Sequence, residues 1–61
     1  MTIKLNEVTS ATTLINGTGK TNLTLNGTNS LGAVTIEPGN ELTLTPGENA
    51  GDLVNTAVTN K

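Results

Sequence analysis

The chain has 61 residues, a formal net charge of −2, and no Cys, His, Phe, Tyr or Trp. This excludes a disulfide framework, a Cys–His zinc site and a His-activated nucleophile. Lys4, Lys20 and Lys61 are the only basic residues, so the clustered cations and stacking aromatics of a nucleic-acid surface are missing, and the apolar runs are too short for a membrane-spanning helix.

The core material is thin. Hydrophobic residues make up 33% of the chain, and aromatic side chains, which supply the largest area per residue, are absent. Apolar burial returns about 25 cal/mol per Å², whereas ordering the backbone of one residue costs roughly 1–2 kcal/mol. A lone monomer is expected to sit near zero net stability. Further copies, or a host surface, are therefore expected to complete the core.

In chain order, residues 1–13 read as an N-terminal arm and linker. Ile3-Lys4-Leu5 alternates with the two-residue period of a strand, and Thr9-Ser10-Ala11-Thr12-Thr13 reads as linker, so the first strand is expected to reach a neighbour. Residues 14–47 read as a β meander. Leu23-Thr24-Leu25, Val34-Thr35-Ile36 and Leu42-Thr43-Leu44 each place Thr outward between two apolar residues. Asn16-Gly17 and Asn26-Gly27 predict type I′ hairpin turns. Pro38-Gly39 and Pro46-Gly47 predict type II turns with positive φ at Gly39 and Gly47. Residues 48–61 read as a final strand or a short helix. Ala50, Leu53, Val54, Ala57 and Val58 fit the helical spacing, but Val54, Thr56, Val58 and Thr59 are β-branched and favour a strand or extended arm.

These elements predict one small all-β domain, a short antiparallel meander forming a small sandwich or barrel completed by oligomerisation. A short internal echo complicates that picture. Val34-Thr35-Ile36-Glu37-Pro38-Gly39-Asn40 recurs as Leu42-Thr43-Leu44-Thr45-Pro46-Gly47-Glu48, and more loosely as Leu23-Thr24-Leu25-Asn26-Gly27-Thr28. Echoes of this kind also suit a rung of a β-solenoid. In either case Ile3, Leu5, Leu23, Leu25, Val34, Ile36, Leu42 and Leu44 form the expected core and interface. Gly17, Gly27, Pro38, Gly39, Pro46 and Gly47 form the expected turns.

Motifs that suggest chemistry fail on their context. Gly17-Thr18-Gly19-Lys20-Thr21 looks like the end of a phosphate-binding loop, but Leu14 stands where the first Gly belongs and a strand pattern follows. Glu37 and Glu41 flank the Pro38-Gly39 turn, where both are expected to be surface charges in solvent. With Asn40 they could offer oxygen ligands to Ca²⁺, yet no calcium-loop signature surrounds them. The thirteen Thr residues, with Ser10 and Ser30, have no activating base. Asn16, Asn22 and Asn26 head glycosylation acceptor triplets, which a chain rich in Asn and Thr produces by chance. Thr43 and Thr45 form the one Thr-x-Thr pair considered as part of a hydroxyl lattice. No catalytic residue, cofactor or metal site is expected.

The Thr/Asn-rich strands, the Pro-Gly turns and the missing catalytic residues resemble the small decoration (cement) and head-fibre proteins of tailed bacteriophages. That resemblance implies a non-enzymatic structural subunit, favouring a trimer, that binds a major capsid protein on the virion exterior. Leu23-Thr24-Leu25-Asn26-Gly27-Thr28-Asn29 is similar to a rung of the β-helical repeats of bacterial surface adhesins. This second resemblance implies an adhesive or surface-binding module on an extracellular surface.

Overall fold

A computed structural model describes residues 1–17 and 19–61. Six strands run in the order β1 (Thr2–Asn6), β2 (Thr12–Ile15), β3 (Gly19–Asn26), β4 (Thr28–Ile36), β5 (Asn40–Pro46) and β6 (Asp52–Asn60). They form two three-stranded sheets, β1-β3-β5 and β2-β4-β6, and every pairing is parallel. The chain therefore coils. Each turn lays one strand in the first sheet and one in the second, and the next turn stacks on it. Three turns make a short two-sided β-solenoid.

The antiparallel meander is thereby overturned. A hairpin returns the chain beside itself, whereas here each strand pairs with the one two elements later. Ile3, Leu23 and Leu44 share one column, and Leu5, Leu25 and Pro46 the next. In the second sheet the corresponding columns are Thr13–Val34–Val58 and Ile15–Ile36–Asn60. The repeat is thus about twenty residues long, at the short end of solenoid periods. The shorter echo from Val34-Thr35-Ile36 to Leu42-Thr43-Leu44 joins β4 to β5, which lie in different sheets.

The turns change meaning accordingly. Gly27 (φ +72°) alone separates β3 from β4 and makes a corner between sheets. A type I′ hairpin would need positive φ at Asn26 as well as Gly27, and at Asn16 as well as Gly17. Of the described non-glycine residues, only Glu7 and Asn55 have positive φ. Pro38-Gly39 does form the expected turn: Gly39 has φ +86°, and the Asn40 amide donates to the Glu37 carbonyl at 3.2 Å. Gly47 is not among the positive-φ glycines. It is needed for space instead, because a Cβ there would overlap the Asn26 side chain.

Both ends of the chain join the stack. β1 pairs within its own chain with β3 rather than reaching a neighbour. The Thr9–Thr13 stretch is no linker, since Thr9 bridges to Ser30 and β2 begins at Thr12. Residues 52–60 are a strand, with no helix.

The core lies between the sheets, in the middle turn. Leu23, Leu25, Leu31, Val34 and Ile36 are buried together with Ile15, and Leu5, Leu42 and Leu53 pack against them half-buried. A local irregularity lets β4 fill this space. Asn29 and Leu31 face inward, then a bulge-like kink at Gly32 (φ +64°) breaks the alternation without adding a residue, after which Val34 and Ile36 face inward. β6 follows suit at Asn55 (φ +47°), and the Thr56 hydroxyl accepts the Leu31 amide at 3.1 Å.

Asn29 is the one buried polar side chain among the described residues and is fully covered. Its Oδ1 accepts the Val8 amide at 2.8 Å, and its Nδ2 donates to the carbonyls of Asn26 (3.3 Å) and Gly27 (3.5 Å). One amide thus ties the first turn to the corner of the second. Its polarity is tolerated because both halves are partnered.

Two outcomes follow. A Cβ at Gly39 meets nothing, but one at Gly32 would overlap the Ala11 carbonyl, a backbone atom that cannot move cheaply. Gly39→Ala should cost about 1–2 kcal/mol from its left-handed backbone alone, and Gly32→Ala clearly more, as read from urea midpoints. Asn29→Ala should cost about 1–3 kcal/mol by leaving the Val8 amide unpaired, and Asn29→Asp more, because a carboxylate would face two carbonyls. Melting followed by circular dichroism checks the order.

Candidate interaction surface at the two ends of the stack

The expected core residues divide by turn. Leu23, Leu25, Val34 and Ile36 are buried in the middle turn, and Leu5 and Leu42 are half-buried. Ile3 and Leu44 occupy the same column as Leu23, yet they are 38% and 41% exposed. Val58, in the column of Val34, is 54% exposed. Chemistry does not separate these residues, since all are aliphatic. Position does: a side chain in an outer turn has a neighbour on one side only.

Each end of the stack is therefore an unclosed section of core. β1 and β2 form one edge, β5 and β6 the other. At the β1/β2 edge the section is hollow. A cavity of about 400 Å³ opens there, lined by Met1, Ile3, Leu5, Val8, Ile15 and Leu31 among others. At the β5/β6 edge Leu44 and Val58 stand uncovered. Both edges also expose one side of a parallel main-chain ladder, whose amides and carbonyls would otherwise pair with a further strand. Folds of this kind ordinarily close such ends with polar capping repeats.

The flanks of the solenoid have another character. Apart from Lys4, Thr and Asn occupy these outward columns of the first sheet: Thr2–Asn22–Thr43 and Lys4–Thr24–Thr45. Thr45 Oγ1 donates to Asn22 Oδ1 at 2.8 Å, and the Asn49 amide donates to Asn26 Oδ1 at 3.2 Å. Two of the acceptor-triplet asparagines are thus engaged in bonds within the fold, as is the Thr-x-Thr pair's Thr45. The Ser10 hydroxyl donates to the Thr12 carbonyl at 2.6 Å.

Four of the eight charged residues sit in surface pairs. Glu41 faces Lys20 at 4.0 Å and Glu37 faces Lys61 at 3.7 Å, the kind of surface pair that contributes little. Among the described residues there is no cluster of three His, Cys, Asp or Glu side chains that could hold a metal ion. Lys20 and Thr21 of the phosphate-loop-like string lie in β3, and Thr18, which that string shares with the first acceptor triplet, lies outside the described residues. Among the described residues no helix is long and apolar enough to cross a membrane.

Comparison with protein-family models, with curated proteins and with solved structures finds no match to this chain. The reading of its function rests on the geometry of the two ends.

Sequence reasoning named Leu23, Leu25, Val34 and Ile36 but missed the buried Ile15 and Leu31, and it did not distinguish covered from uncovered positions. The interval linking Ile3-Lys4-Leu5-Asn6, Leu23-Thr24-Leu25-Asn26 and Leu44-Thr45-Pro46-Gly47 was the available signal. Once those strings are stacked, the outermost two are terminal by inspection.

Proposed function

We propose that this chain is a non-enzymatic structural protein, a β-solenoid module that works by associating through its ends. The observation that carries the reading is the burial contrast along one column, from Leu23 (4% exposed) to Ile3 (38%) and Leu44 (41%). A core this small gains most by being continued, because each added turn covers apolar area at about 25 cal/mol per Å². The Thr- and Asn-rich flank of the first sheet suits a surface that stays in water while the ends carry the contacts.

An extracellular or virion-surface assembly fits this design. The parallel coil favours the surface-module reading over a compact decoration subunit, since a solenoid lengthens by repetition. A capsid protein at the same ends would be the equivalent contact with a different partner.

Two substitutions test the proposal. Leu25 is 5% exposed, and an unpaired carboxylate there is heavily penalised, so Leu25→Asp should abolish the β signal in far-ultraviolet circular dichroism. Leu44→Asp places the charge at an end already open to water. It should keep most of the β signal while lowering the sedimentation mass to that of a monomer. A wild-type chain that stays a folded monomer across a wide concentration series would overturn the proposal.

A further inference from the structure

We infer that copies of this chain join head to tail, the β5/β6 edge of one seating on the β1/β2 edge of the next. The inference rests on the structural reading above and adds which edges mate, and in what register. Its basis is continuity with the contacts between turns inside the chain. A parallel ladder has the same pattern at every step, so the free edge of β5 presents what the matching edge of β3 presents to β5, except at Pro46, which takes the place of Leu25 and has no amide hydrogen to donate. A further β1 fits there in the same register with one amide donor fewer, at Pro46, and a further β2 fits on β6 with the full ladder.

The columns agree with that placement. Continued by one turn, Leu44 lies over the partner's Ile3 and Val58 over the partner's Thr13. The half-covered aliphatic groups of one end thereby enter the hollow of about 400 Å³ at the other. Two β1/β2 edges placed face to face would instead oppose hollow to hollow. The lining atoms would lose contacts to the void between them.

Charge sets the conditions. Lys4 of the partner subunit meets Thr45, so no like charges oppose one another along the strands. The corner differs: Asp52 continues the column of Thr28, and Glu48 sits in the same corner, near the place that the partner's Glu7 would take. These carboxylates oppose association unless screened. Self-association should therefore strengthen as ionic strength rises from roughly 0.01 to 0.15 M, where the Debye length falls from about 30 to 8 Å.

The natural absence of Cys allows a direct test. Thr2 and Thr43 are exposed, and they flank Asn22 in one outward column. In the inferred register they become neighbours across the junction, about 4.8 Å apart, within the Cα separation of roughly 4.4–6.8 Å that a disulfide spans. An oxidised mixture of the Thr2→Cys and Thr43→Cys chains should yield a covalent heterodimer, while each variant alone yields little. The double variant should give a covalent ladder on a denaturing gel. Circular dichroism on each variant confirms that it retains the fold.

Efficient cross-linking of Thr2→Cys with itself would overturn the inference in favour of a head-to-head pair, and of Thr43→Cys with itself in favour of tail to tail. Association by sedimentation without heterodimer cross-linking would sink the register and leave the structural role standing. A monomer under all conditions would sink both.

Discussion

The fold depends on one constraint: like positions of successive turns must stack in register, so that each aliphatic side chain is covered by the turn above and the turn below. Leu23 meets that condition, with Ile3 on one side and Leu44 on the other, and is buried. Its two neighbours meet it on one side only. The chain contains no aromatic residue that could close an end alone. Leucine, isoleucine and valine of ordinary size fill a slot of constant width, so a coil with a small, repeated cross-section is the economical use of this composition.

Stacking also decides where polarity is allowed inside. Asn29 is fully buried and fully partnered, joining the Val8 amide to the carbonyls at the Gly27 corner. The bulge at Gly32 and Asn55 solves a second problem in the same region. Strict alternation from Asn29 would turn Val34 and Ile36 outward, whereas the left-handed kink resets the parity and returns both to the core. These devices fix the register of turns whose apolar columns alone would allow a slip.

Much of this was legible locally. The alternation around Leu23, Leu25, Val34 and Ile36 marks inward positions, and Pro38-Gly39 specifies its turn. The direction of pairing was not legible from the same signs. A corner between sheets and a hairpin both call for glycine after asparagine, and a wet-faced strand alternates identically in either arrangement. β2 escaped notice because its two aliphatic residues, Leu14 and Ile15, are adjacent and do not alternate, while Thr12 and Thr13 read as linker. Leu31 went unassigned because the bulge beside it breaks the two-residue period. The candidate site emerged from sequence only as a shortage of core. Its location at the ends follows from topology.

The orientation of the main-chain bonds carries a mechanical consequence. The first strand lies at one end of the stack and the last at the other, and the bonds between turns run along the line joining those ends. Tension applied through the chain along that line loads the turns in succession, one ladder at a time. Compression or sideways bending is instead shared among the ladders and the aliphatic columns together. The coil is thus built as a spacer that resists crushing and gives way stepwise when pulled, peeling from an outer turn while the buried middle one holds longest.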